Sequence, residues 1–372
     1  MKPGRGLKLF LLAGGSAAAG LVLGEIALRA VGFSYHLRPE QIQFGWPRAL
    51  SSLGDEYRAD PDLLWVRADY GPTLARARAE RPVFAFLGDS CTDYGRYPEL
   101  LLRDLSRSRP GTRWTGANLG TAGWSSYQGL RQLRRDVLPL RPRIATFYFG
   151  WNDHWIGFGL PDEEVAALSR RTGSPRWQGL RLVQLGQKAW ISLHRTDDNR
   201  RVPLPAFRRN LREMVRLARS RGIEPVLITA PTAHRKGHEP GYLQGVWIRR
   251  LEDVVPLHRE YAEAVRTVAR EEGATLCDLA ADFAALGNVR RDAAFLRDGI
   301  HLNQNGARRA ARYLADCLET AGLLDRTEAA VSSYTGSSPP EGPRSSSYSS
   351  PPRGRPGSRS GRTRPSARTP AR

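Results

Sequence analysis

Between residues 83 and 318, short apolar runs alternate with longer amphipathic stretches, and this alternation restricts the fold more than any other feature of the chain. The runs 83–88, 114–119, 144–150, 225–230 and 275–279 have the length and apolar character of strands buried on both faces. The intervening stretches 98–107, 127–138, 207–219, 258–271 and 306–318 carry apolar residues at helical spacing, with Pro98 in a first turn. Strand and helix in alternation predict a five-stranded parallel sheet, covered on both faces and joined by right-handed crossovers. One α/β domain is expected over residues 81–325.

The flanking segments read differently. Residues 1–33 begin with Lys2, Arg5 and Lys8, continue uncharged from 9 to 24, and then meet Glu25 and Arg29. Basic flank, apolar run and polar exit are the order of an export signal or of a single anchor with its N-terminus in the cytoplasm. The uncharged run falls short of the ~20 residues of a straight spanning helix, and Gly14, Gly15 and Gly20 weaken it. Cleavage after Ala17-Ala18-Ala19 would leave Leu21-Val22-Leu23 exposed, so an uncleaved hydrophobic anchor helix is favoured over a removed signal peptide, and both over a buried core helix. Either leading reading places the remainder outside the cytoplasm, membrane-anchored or secreted.

Residues 34–80 form an irregular membrane-proximal lead-in with no assigned chemistry. An insertion over 155–205 breaks the alternation and contains one expected helix, 180–193, whose apolar stripe is most simply a packing face, with a lid as the alternative. The tail 326–372 is rich in Ser, Pro, Gly and Arg and is expected to be disordered, because it has too little apolar surface to offset ordering.

The formal charge is +20, and eight arginines against Glu341 place about +7 of it after residue 330. That tail lacks a groove-reading element, and Tyr334 and Tyr348 are too few for a base-stacking platform, so nucleic acid is not an expected partner. Outside the cytoplasm it would meet anionic wall polymer or lipid headgroups, or simply stay solvated. Cys91, Cys277 and Cys317 show no metal-ligand spacing; Cys277 and Cys317 read as buried small hydrophobes, and a bridge between them is open at this level.

Chemistry concentrates where the strands end. Gly88-Asp89-Ser90 follows the first strand, Asn118-Leu119-Gly120-Thr121-Ala122-Gly123 the second, Gly150-Trp151-Asn152-Asp153 the third, and Asp298-Gly299-Ile300-His301 lies between the last strand and the final helix. Acyl transfer requires a nucleophile, a base, a carboxylate that fixes the base's tautomer, and donors for the developing oxyanion. Ser90, His301 and Asp298 fill the first three roles. Ser90 N–H, Gly123 N–H and the Asn152 side chain fill the oxyanion hole.

In these four blocks the chain resembles the SGNH, or GDSL-type, hydrolase superfamily, across residues 83–318. The resemblance implies a flavodoxin-like three-layer α/β/α sandwich and hydrolysis of ester or thioester bonds, sometimes acyl transfer, with no metal and no organic cofactor. Cys91 stands where the name-giving motif has leucine. An α/β-hydrolase elbow would want glycine at position 92, where the chain has threonine. Around the site, Trp124, His154 and Trp155 are candidate cleft walls, and His234 with Arg235 are candidates for binding a charged part of the substrate. Asp89 and Asp153 read as structural hydrogen-bonders. The expected activity is a serine esterase cleaving an acyl ester, such as an acetyl group on an envelope glycan. The alternatives are an envelope glycan O-acyltransferase using the same residues, or a catalytically silent glycan-binding module.

Overall fold

The computed structural model describes residues 5–35, 42–43, 46–47, 56–157, 159–172, 177, 179–196, 199–245 and 247–335. Of the expected disordered tail, residues 336–372 fall outside them, while 326–335 are ordered as part of a helix, Leu323–Thr335. In chain order the principal elements are α1 (Arg5–Ala30), the antiparallel hairpin β1 (Tyr57–Asp60) and β2 (Leu64–Arg67), α2 (Tyr70–Glu80), β3 (Phe84–Gly88), α3 (Tyr97–Ser108), β4 (Gly116–Asn118) and α4 (Ser126–Gln132). They continue with β5 (Ile144–Tyr148), α5 (Asp162–Thr172), α6 (Arg181–His194), α7 (Leu204–Arg219), β6 (Glu224–Ile228), α8 (Val254–Glu272), β7 (Thr275–Cys277) and α9 (Gln304–Thr320).

The five strands β4-β3-β5-β6-β7 lie side by side in that order, all parallel. The chain goes outward from β3 to β4, then crosses back to β5. The crevice between β3 and β5 is therefore the point at which strand order reverses, the place where doubly wound sheets bind ligands.

The period-two alternation of each strand sorts its side chains onto two faces. Ala85, Leu87, Ala145, Phe147 and Leu227 pack against α7 and α8 through Leu211, Met214, Val215, Tyr261 and Val265. Phe84, Phe86, Ile144, Tyr148, Val226 and Ile228 pack against α3 and α9 through Leu101, Leu105, Ala311 and Leu314. Two apolar layers sandwich one sheet, as the alternating pattern predicts.

Within the rest of the chain the structure differs from the sequence expectations in further places. The lead-in carries ordered structure: the β1–β2 hairpin and α2 contribute Trp65, Tyr70, Leu74 and Ala77 to the core. The insertion holds a second helix, α5, besides α6. The helix expected over 127–138 closes at Gln132 and continues as a π-helical turn, Leu133–Val137. Among the described residues no helix is long and apolar enough to cross a membrane. α1 is continuous over 26 residues, but Gly14, Gly15, Ser16 and Gly20 dilute its apolar content and Glu25 and Arg29 end it. α1 packs on the insertion, where Glu25 accepts from the backbone N–H groups of Arg181 and Leu182, both at 3.0 Å, and so satisfies free donors at the start of α6.

Cys277 and Cys317 are joined by a disulfide that ties β7 to α9, and Cys91 is free and buried.

Candidate active site

β3 ends at Gly88, where a Cβ would collide with the Thr92 side chain and come within 2.8 Å of the Tyr148 carbonyl oxygen. Only glycine allows the chain to turn so closely from strand into the single helical turn Ser90–Asp93. Asp89 caps that turn by accepting from Cys91 N–H at 2.9 Å. Ser90 thus stands at the carboxyl edge of the sheet, with its own N–H among the unsatisfied donors of a first turn.

His301 reaches it from 211 residues away. Its Nε2 lies 2.7 Å from Ser90 Oγ, and its Nδ1 lies 2.6 Å from Asp298 Oδ2. Asp298 Oδ1 accepts from the backbone N–H groups of Ile300 and His301, each at 2.9 Å, so the carboxylate is held on both oxygens. This arrangement assigns the neutral imidazole a proton on Nδ1, donated to Asp298, and leaves Nε2 to accept from the serine hydroxyl. Burial opposes a charge on His301, but the hydrogen bond and charge of Asp298, with Asp89 adding to them, outweigh it and hold the imidazole above its ordinary pKa. Burial likewise works against the Asp298 carboxylate, and its bonds from the His301 ring and from two backbone N–H groups prevail, keeping it below the usual carboxylate value.

Asn152 enters from the loop after β5. Its amide donates to Asp89 Oδ2 at 3.2 Å, which fixes its plane and leaves a second N–H available. Burial pushes Asp89 up to about 6. Asp153 accepts from Gly150 N–H at 3.0 Å and from Ser126 N–H at 2.8 Å, stitching the Asn152 loop to the start of α4. Burial raises Asp153 to about 7.

Gly123 adopts φ +79°, a conformation open to glycine and strained for a side chain. Its loop is gripped on both sides. Ala122 N–H donates to Asp93 Oδ2 at 3.0 Å, and Arg67 pairs with the other Asp93 oxygen at 2.5 Å. On the far side Arg201, 1% exposed, donates from Nη1 to the Gly123 carbonyl at 2.7 Å while its Nε and Nη2 bind both oxygens of Asp162 at 3.0 and 2.8 Å. Asp162 in turn accepts from Ser125 Oγ at 2.7 Å. The sequence carried no signal for this pair, since an arginine in an insertion has no periodicity to mark it as buried.

The expected rim residues have other employment. Trp124 is fully buried, edge-on to Tyr70, and its indole N–H donates to the Trp65 carbonyl at 2.8 Å. Trp155 is buried and stacks on Trp151, and His154 is buried against His258. These three are buried in the core, Trp124 beneath Trp65 and Tyr70 of the lead-in, His154 against His258 and Tyr261 of α8, and Trp155 against Trp151 and Trp247. His258 donates from Nε2 to the Ala230 carbonyl at 2.9 Å, so its Nδ1 accepts from His154 Nε2 at 3.2 Å. Burial keeps both imidazoles neutral, with His154 well below its ordinary value and His258 at about 4. His234 faces the back of the Asp298 loop, donating from Nε2 to the Asp298 carbonyl at 2.7 Å. Arg235 contacts both oxygens of Asp292 through its Nη1, each at 2.7 Å.

Residues 86–309 match the family model of the GDSL-like lipase/acylhydrolase family. The chain belongs to that family. Its members are ester-bond hydrolases of the SGNH superfamily, and the match spans all four blocks that border the Ser90 site. Solved structures similar to this family member include a GDSL-like lipase from Bacteroides thetaiotaomicron, 15% identical, with a TM-score of 0.44 over 68% of this chain and 98% of that one. The lipase/acylhydrolase from Enterococcus faecalis is 18% identical, with a TM-score of 0.43 over 64% and 96%. The acetylxylan esterase of Geobacillus stearothermophilus is 17% identical, with a TM-score of 0.41 over 63% and 91%. At such values these likenesses carry no argument about substrate. No curated protein matches the chain.

Proposed function

We propose that this family member is a serine esterase working outside the cytoplasm. The observation that carries the reading is the continuous chain Asp298–His301–Ser90, with links of 2.6 and 2.7 Å. In the reaction His301 Nε2 takes the Ser90 Oγ proton as Oγ attacks the acyl carbon. The negative charge that moves onto the carbonyl oxygen is met by the N–H groups of Ser90 and Gly123 and by the free amide N–H of Asn152. Collapse expels the alcohol, which leaves with the proton from His301, and the acyl group remains on Ser90. Water, deprotonated by the same imidazole, then releases the acid. Asp298 holds the Nδ1–H tautomer and stabilises the imidazolium formed in both steps.

The compartment is supported by the Cys277–Cys317 bridge, a linkage that persists in oxidising surroundings, together with the basic flank of the N-terminal segment. An acetyl group on an envelope glycan is the proposed substrate type. If a sugar hydroxyl replaces water in the second step, the same residues perform O-acyl transfer. Acid as the sole product from an ester donor with glycan present supports hydrolysis, and acylated sugar supports transfer.

A fluorophosphonate probe tests the mechanism. It is expected to label the wild type at Ser90 and to leave Ser90→Ala unmodified. Folded wild type that stays unlabelled would overturn the proposal.

A further inference from the structure

At the opposite end of the sheet from Ser90, a basin of about 960 Å³ opens between the amino-terminal ends of the strands, bordered by Val83, Thr115, Arg143 and Gly222. Six arginines line it, Arg78, Arg81, Arg113, Arg141, Arg143 and Arg221, against the single acid Glu80. All six are exposed, and among the described residues none of their guanidinium groups has an acidic partner. Several other arginines of the domain are compensated: Arg109 contacts three carboxylates, Arg135 three, and Arg266 two. Abundant arginine in the composition therefore does not by itself explain the basin. What sets it apart is positive charge left uncompensated in a concave place.

Backbone geometry adds an independent observation. Arg81 ends α2 with φ +48°, and Arg141 ends the short turn Leu138–Leu140 with φ +50°. They are two of four non-glycine residues with positive φ among those described. Glycine is the unstrained residue for such a helix end, and Gly222 on the same rim does adopt φ +68°. Three of the four are arginines, Arg81, Arg96 and Arg141, and two of these three line the basin. Strain retained in this way points to a use for the side chain.

We propose that this basin is a docking site for a linear polyanion, a chain with repeated phosphate or carboxylate groups. Six guanidinium groups around one depression match several anionic groups at once, where a single small anion would leave most of them unanswered. Lining one basin, their fields add in the space they enclose. The recess favours a polymer chain over a flat bilayer, because a plane of headgroups would touch only its rim. The site is remote from Ser90 and does not depend on the esterase mechanism.

The test is binding of inorganic polyphosphate and of poly-glutamate to the full-length protein, by titration at low and at high salt. The variant Arg113→Ser/Arg143→Ser/Arg221→Ser is compared with Arg353→Ser/Arg355→Ser/Arg359→Ser, which removes equal charge from the tail. The basin variant is expected to weaken binding of at least one polymer by about tenfold or more, from three exposed ion pairs. The tail variant is expected to change it far less, and salt should weaken the wild type. An unchanged melting temperature shows that the basin variant is folded. Equal losses in the two variants, or no loss in the basin variant, overturns the proposal. Stronger basin-dependent binding to phosphatidylglycerol vesicles than to either polymer also overturns it, and assigns the surface to a membrane.

Discussion

At the scale of single residues, the proposed chemistry turns on how Asp298 and Asp89 set their neighbours. The base must be neutral to accept the Ser90 proton, so activity should rise as pH passes upward through the His301 pKa. That pKa is held above the ordinary imidazole value, chiefly by Asp298 acting against burial. Asp298→Asn removes the hydrogen-bonded charge, and the acid limb of kcat/KM against pH is expected to move to lower pH while the maximal rate falls. A limb that stays in place would show that Asp298 does not set the base. Asp89 acts one step further back, aligning Asn152 through a 3.2 Å bond. If Asn152 supplies an oxyanion donor, Asn152→Ala should reduce kcat by about 10²–10³-fold with KM nearly unchanged, measured on p-nitrophenyl acetate. Both aspartates flanking the site loops, Asp89 and Asp153, are buried with all-polar partners, which accounts for their presence without a second catalytic acid.

At the scale of elements, the insertion is coupled to the Gly123 loop. α5 begins with Asp162 and the chain returns past Arg201, and this buried pair holds both the Gly123 carbonyl and the Ser125 hydroxyl that caps α4. A segment that interrupts the strand-helix alternation therefore braces a loop at the site edge. Arg201→Met would leave Asp162 as an uncompensated buried carboxylate, at a cost of about 3–5 kcal/mol in chemical unfolding. Arg201→Met/Asp162→Asn should recover much of that stability. Its kcat should nevertheless stay reduced, because nothing then anchors the Gly123 carbonyl. Full recovery of kcat together with stability would make the pair merely structural.

At the scale of the whole molecule, β7 is one of the two edge strands and has only three residues, so little of its hold on the sheet comes from pairing. The Cys277–Cys317 bridge fastens it to α9, whose N-terminus follows directly on His301. Reduction, or Cys277→Ala/Cys317→Ala, is expected to lower unfolding free energy by about 2–4 kcal/mol, read as a fall in melting temperature. An unchanged melting temperature would show that the apolar packing of α9 on Phe84, Tyr148 and Ile228 suffices. α1 is joined to the insertion through Glu25, which accepts from the two backbone N–H groups that open α6.

Sheet, layers and the residues of the site loops were legible in the sequence because each depends on local signals: apolar runs of strand length, helical spacing, and glycine, serine, asparagine and histidine placed where strands end. Ser90, His301 and Asp298 lie in one hydrogen-bonded row in the structure. The roles of the large residues beside them were not legible. Trp124, His154 and Trp155 follow the same strand ends, yet burial is a property of what folds back over a residue, and here that is the lead-in for Trp124, α8 for His154 and the loop holding Trp247 for Trp155. His234 and Arg235 already bind protein groups, the Asp298 carbonyl and Asp292, which lie more than fifty residues away in the chain. Arg201 and Asp162 are an ordinary arginine and an ordinary aspartate until tertiary packing excludes water from both. Covalent order and periodicity determined which elements form and which reactive groups stand at their ends. Only the three-dimensional chain path decided which polar groups are enclosed, because enclosure depends on contacts between segments distant in sequence.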